Sequence, residues 1–255
     1  GGLQGKLNGV VTLGTQIRTS DPSPDAYSVV VSPYVSGVPA GKLAGQNGGP
    51  DLNFYKGDQI STVLKGVIDL DLKKDNVGLF VRGSAWKDFA LGENNVAYGN
   101  FPNAFTPNTP LSDKGFDPSS KFSNALIRDY FVYGSTKLDD GKTLDGRLGR
   151  QVLNWGGSQL IGGGVNASIN PTDFASMFRP GAQPFEGKLP LGMISAKLAA
   201  GQAWSLEGFV AYEHRGNVYP ACGTFCISIL SLAPTKRNSA SGNRDFNSLA
   251  MAMAG

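Results

Sequence analysis

Histidine is nearly absent: His214 is the only one in 255 residues. A Ser-His-Asp mechanism would rest on that one ring, at the end of a strand-like segment. Cysteine is almost as scarce. Cys222 and Cys226 sit close together in a loop-like stretch with no other thiol in the chain. They make a poor metal site and read better as a small local disulfide in an oxidising compartment. No His/Cys/Asp cluster has metal-ligand spacing. Gly162-Gly163-Gly164 lacks the Lys and the following helix of a phosphate-binding loop. Carboxylate-only catalysis stays open, since two acids can meet from any two strands. The expectation is a non-enzyme without a cofactor.

Charge is also sparse. Charged residues are 17% of the chain and the net charge is +3, scattered rather than clustered. That argues against a nucleic-acid partner. No apolar run approaches the roughly 18 residues of a transmembrane helix. A barrel strand, however, crosses a bilayer with only about 10 alternating residues. Gly1-Gly2 in place of Met fits a cleaved signal peptide and equally a tag scar.

What the chain does have is glycine, 35 residues of it without a collagen period, inside and at the ends of alternating segments. From Leu3 to Thr19 the odd positions (Leu3, Leu7, Val11, Leu13, Ile17) are apolar. The even ones (Gln4, Lys6, Asn8, Gln16, Arg18) are mostly polar. Period two over this length predicts a strand far longer than the usual 5–6 residues or so. Residues 60–72 repeat the pattern with Ile60, Leu64, Ile68 and Leu70 on the apolar side. Residues 77–88 return from a turn at Lys74-Asp75-Asn76, predicting a hairpin. Residues 125–138 are ambiguous. Leu126, Tyr130 and Val132 share one parity, and Ile127, Phe131 and Tyr133 the other. This predicts a strand buried on both faces, or one opened by a short helix. Strands are also expected over 143–153, 191–198 and 204–213, with Val29-Val30-Val31 as a short strand.

Short turns (Lys74–Asn76, Asp139–Lys142, Ala199–Gly201) therefore alternate with long loops (Asp21–Gln59, Phe89–Ser123, Asn154–Lys188, Gly216 onward). That asymmetry predicts an all-β, antiparallel up-and-down transmembrane β-barrel, or the N-terminal half of one. Its short turns would be periplasmic and its long loops outside. Phe54, Tyr55, Trp86, Tyr133, Trp155, Trp204 and Tyr212 near strand ends are candidate interfacial girdle residues; a soluble sandwich would use them as core.

The polar faces carry Lys6, Arg18, Lys65, Arg82, Arg147, Asp69, Asp71 and Glu207, which a barrel would turn into its lumen. Arg82 and Arg147 are the leading lumen cations, with pairing to lumen acids as the alternative. The loop 154–188 is the least strand-like part of the chain. It carries Trp155, Asn170, Asp173, Phe174, Arg179 and Glu186, too many large side chains for a good disordered segment. Asn170-Pro171-Thr172-Asp173 reads as an Asx-type turn opening a short helix with Asp173 near its start. Arg179 is placed to hold Asp173 or Glu186. The loop leaves from the same end as the other long loops and is expected to fold inward as a lumen constriction or plug.

RLGRQVLNWGGSQLI, INPTDF, RPG and LPLGM, with the earlier DLNFYKGD and NVGLFVRGSAW and the later CGTF, resemble an uncharacterised proteobacterial outer-membrane family, a domain of unknown function. The resemblance covers most of the chain. It implies secretion through a signal peptide, a β-barrel of which this chain is the N-terminal half, and uptake of hydrophobic or aromatic compounds. The family pattern reads Trp-Gly-Glu-Ser where this chain has Trp155-Gly156-Gly157-Ser158, which puts any role of that acid in doubt here. The reading is one incomplete barrel domain over 1–255, in the cell outer membrane. It would act as a porin-like channel with a lipid bilayer and a small-molecule solute as partners, and homo-oligomerisation stays open. The alternative is a surface structural protein that multimerises through its β edges.

Overall fold

The computed structural model of the chain describes residues 2–29, 37–43, 49–93, 95–97, 109–138, 141–155, 169–200, 204–221 and 223–225. The period-two segments pair with their sequence neighbours into one seven-stranded antiparallel meander. It runs in the order β1 (Gln4–Ile17), β2 (Gln59–Lys74), β3 (Val77–Asp88), β6 (Ser123–Lys137), β7 (Lys142–Gln151), β8 (Leu191–Ala200) and β9 (Trp204–Ala211). Between β3 and β6, β4 (Asn95–Val96) and β5 (Thr109–Pro110) form a separate two-stranded piece. The fold is all-β.

The hydrophobic pattern sets the register. Leu7 faces Leu70, Leu13 faces Leu64, and Leu72 in turn faces Leu79 across the β2–β3 hairpin. That hairpin closes at Asp75, whose φ of 52° is the left-handed conformation a tight turn between twisted strands needs. Tyr133 lies directly across from Gly78, and its ring covers the space that a Cβ there would fill. Its hydroxyl donates to Asp71 Oδ1 at 2.6 Å.

The sheet keeps its apolar face open. Val11 is 78% exposed, Ile68 58%, Ile127 63% and Val210 54%, so the open face runs from one edge strand to the other. The buried side chains lie elsewhere. Phe54, Ile60, Val96 and Leu111 form one cluster among the long loops, and Tyr27 with Leu52 forms another. Val63, Trp86 and Met193 are buried on the polar face, together with Lys65 and Gln151.

Several expectations change. Residues 125–138 hold no helix: β6 contains a bulge. Val81 pairs with Tyr130 and Gly83 with Ile127, leaving Arg128 and Asp129 both opposite Arg82. Ile127 and Tyr130 are exposed while Arg128 and Asp129 are buried between them. One extra residue flips the parity, and this is the source of the mixed pattern. Ile60 leaves the apolar face for the same reason, because the β1–β2 register shifts between Gln16 and Ile17 and skips it. Ala199 and Ala200 belong to β8, paired with Ser205 and Trp204, instead of to a turn. Phe54 and Trp86 are buried, and Trp155 packs on the polar face, so none of the three belongs to a surface girdle. Val30 and Val31, Cys222 and Cys226 with their expected disulfide, Gly157, Gly162–Gly164 and residues 139–140 and 201–203 of the turns lie outside the described residues.

Candidate functional site

The loop after β7 turns back onto the polar face instead of projecting away from the sheet. Trp155 meets Phe209 of β9 edge-on, ring centroids 5.1 Å apart. Further along, Asn170 is fully buried and ties the loop's two ends together. Its Oδ1 accepts from Leu153 N–H at 2.9 Å, and its Nδ2 donates to the carbonyls of Leu189 (2.9 Å) and Gln151 (3.3 Å). Asp173 caps α1 (Phe174–Met177), accepting from Ser176 N–H at 2.9 Å, as the Asx-turn reading anticipates. Phe174 stacks on Tyr219 with ring centroids 5.1 Å apart.

Cations from the strands hold this loop down. Lys65 of β2 forms an ion pair with Glu186 and donates to the Gly181 carbonyl at 2.8 Å; both charged side chains are 1% exposed. Arg128 pairs with Asp173 at 3.5 Å and donates to the carbonyls of Glu186 (2.9 Å) and Lys188 (3.2 Å). Glu186 also caps its own turn by accepting from Gln183 N–H at 2.7 Å. At the far side the loop touches β1, where a Cβ on Gly14 would lie 2.8 Å from Pro180 Cβ. Gly181, at φ +72°, lies against Thr12. The loop thus crosses the polar face from β7 to β1.

Arg179 does not take the role expected of it. It donates to the Ser119 carbonyl at 2.7 Å and lies 4.1 Å over the Trp86 ring. Burial lowers its pKa to about 10, against the pull of Asp173 and Glu186. Arg128 and Lys65 pair with those two acids instead, because they project from strand positions directly beneath the loop. Arg128 was not singled out in the sequence; the parity break in β6 was the signal for it.

Beneath the loop, towards the short-turn end, is a cavity of about 1020 Å³. Tyr133, Arg147, Trp155, Lys197 and Glu207 are among its lining residues. Glu207 pairs with Lys197 at 2.6 Å. Arg147 lies 5.6 Å over Phe131, and Phe131 stacks on Phe80 at 5.2 Å. Arg82 continues this row, 5.4 Å over Phe80 and 4.0 Å over Phe185 of the loop. The two arginines separate here. Arg82 is bound by Asp69 through two hydrogen bonds of 2.7 Å, while Arg147 is exposed and no acid pairs with it among the described residues.

Chemically, the polar face offers a folded, ion-paired obstruction over a cavity with charges of both signs and aromatic faces. No group of three or more potential metal ligands occurs among the described residues. A family model described as "Protein of unknown function (DUF1302)" matches residues 1–240. No curated protein and no solved structure matches the chain.

Proposed function

The chain belongs to the DUF1302 family, and from that premise we propose that it is an outer-membrane β-barrel channel for small apolar or aromatic solutes. The folded part of the loop at residues 169–188 is its constriction. The observation that carries this reading is the reversed polarity of the sheet. All seven strands turn apolar side chains to one open face, while ion pairs and polar residues lie between sheet and loop. In water, so wide an open apolar face would be a strong association site. In lipid it is the expected outer surface of a barrel.

Trp204 and Tyr212, both exposed on that face, support it further. At about 3.3 Å per residue they stand roughly 26 Å apart along the strand. With the tilt of about 35–45° that barrel strands have, this is roughly 20 Å of height, which fits within an apolar band about 25 Å tall flanked by aromatics. The Arg82–Phe80–Phe131–Arg147 row offers stacking surfaces to a flat solute on the way past the loop. Extraction of the protein from outer membranes in detergent, followed by planar-bilayer recording, tests the proposal. Discrete conductance steps that enlarge when residues 170–188 are replaced by a short linker are expected. Their absence, in protein that refolds to its β-rich form, overturns the channel.

The structural-protein alternative draws on one observation. Among the described residues, β1 and β9 each have one unpaired edge. Closed natural barrels start at about eight strands, so further strands must come from more of the chain or from a second copy. Filaments that persist without detergent favour that alternative.

A further inference from the structure

Arg147 differs from its fellow arginines. Every other arginine among the described residues holds a protein acceptor: Arg18, Arg82, Arg128, Arg150 and Arg215 pair with carboxylates, and Arg179 donates to a carbonyl. Arg147 is exposed, and its guanidinium rests only over the Phe131 ring. The acids that line the same cavity are Glu207 and Asp145. Glu207 pairs with Lys197 at 2.6 Å, and Asp145 stands directly across from that lysine. Lys73 and Lys137 also line the cavity, so its described lining carries an excess of positive charge. Residues 156–168, which follow Trp155, contain no Asp or Glu.

The register of the sheet puts Arg147 between aromatic walls. It lies beside Tyr133 of β6 on one side and Ser195 of β8 on the other, and Ser195 in turn faces Phe209 of β9. Trp155 packs edge-on against Phe209, and Tyr133 and Trp155 both line the cavity. With strands about 4.8 Å apart, the two ends of this row are roughly 14 Å from each other. An acid with one or two aromatic rings therefore reaches a ring of the wall while its carboxylate meets the guanidinium. In open water such an ion pair contributes little. Between aromatic walls, the two-pronged hydrogen bonding of arginine to a carboxylate is supplemented by stacking. A cavity of about 1020 Å³ has room for a solute of that size.

We propose that this cavity is a binding site for an aromatic carboxylate, with Arg147 holding the carboxylate and Tyr133 and Trp155 flanking the ring. This rests on the reading of the polar face as the interior of a channel. It gives the solute a charge and places its resting site on the short-turn side of the folded loop.

The test is isothermal titration calorimetry on the full-length protein in a non-ionic detergent at neutral pH, with benzoate, benzyl alcohol and cyclohexanecarboxylate as probes. Benzoate is expected to bind saturably and about tenfold more tightly than either analogue. Arg147→Gln is expected to bring benzoate down to the level of benzyl alcohol. Arg147→Lys is expected to recover part of the difference, because the charge remains and the planar fork does not. Lys42→Gln, at an exposed ion pair in a long loop, controls for a general charge effect and should leave binding unchanged. Equal binding of benzoate and benzyl alcohol, or an undiminished benzoate preference in Arg147→Gln, overturns the site. Equal binding of benzoate and cyclohexanecarboxylate overturns its aromatic character. Should Arg147→Gln not fold, Arg147→Lys decides alone: an unchanged affinity for benzoate overturns the proposal. Planar-bilayer conductance separates this site from the channel, because the calorimetry needs no membrane. Conductance without benzoate binding retains the channel and removes the site. Benzoate binding without conductance retains the site and removes the channel.

Discussion

Lys65 and Glu186 are each 1% exposed, and their ion pair joins a strand to a loop 121 residues further along the chain. Two charges so deeply buried are tolerable only together. Lys65→Met leaves Glu186 uncompensated and is expected to destabilise the folded loop by about 3–5 kcal/mol. Adding Glu186→Gln is expected to recover part of the loss; denaturant unfolding and the rate of proteolysis within 154–188 measure both. Glu213 carries a pH dependence. Burial pushes its carboxyl up, but the Arg150 guanidinium, the Gly192 N–H and the nearby Arg215 charge outweigh this and hold it below its ordinary value of 4.5. A carboxylate with a lowered folded pKa stabilises the protein above its ordinary pKa, and the contribution fades as pH falls through the lowered value. Stability should therefore drop on acidification below 4.5, and less so in Glu213→Gln, as thermal unfolding across pH 2–7 would reveal. An identical acid slope in both proteins would refute this assignment. At this scale the sequence named residues without their partners. Lys65, Asp173 and Glu186 were legible as polar residues among apolar ones. Which charge meets which depends on where the loop lands, and residue spacing does not encode that.

Among the elements, the strands were legible and the bulge was visible only as a contradiction. β1, β2 and β3 follow the alternation because each must keep one face apolar and the other polar. β6 broke the pattern at Arg128-Asp129, and a strict period of two admits no explanation for it except burial on both sides. A single inserted residue explains it at lower cost, turning two charges inward and preserving the apolar face before and after. The loop depends on Asn170, which joins the backbone at Gln151 and Leu153 to that at Leu189. Asn170→Ala is expected to cost about 1–3 kcal/mol for the backbone groups left unpaired. The loss should fall on the loop: faster amide exchange at residues 169–190 with the strand amides still protected. Uniformly faster exchange across β1–β3 would show instead that the loop holds the sheet together.

For the whole molecule, the exposed apolar face is the feature on which the proposed membrane environment rests. Val11 lies near the middle of β1 and is among the most exposed side chains of that face. Val11→Arg is expected to reduce stability in a bilayer by about 2–4 kcal/mol, the cost of an arginine at the membrane midplane. Lys6→Arg, on the opposite face of the same strand, is expected to be nearly neutral. The comparison is made by folding both variants into vesicles and titrating with denaturant. Equal effects of the two substitutions would argue that the apolar face does not meet lipid.

By itself the sequence determined the strands, their meander order and, in β1 and β2, which face is apolar. These follow from local alternation and from short turns that force neighbours to pair. It also determined that the loop after β7 carries too much apolar surface to stay unfolded. Only the tertiary structure decided that this loop lies across the polar face from β7 to β1, and that Arg128 and Lys65 hold it there. Those facts depend on residues far apart in the chain meeting in space. They also depend on a one-residue insertion in β6, whose consequence appears only when its neighbours are in place.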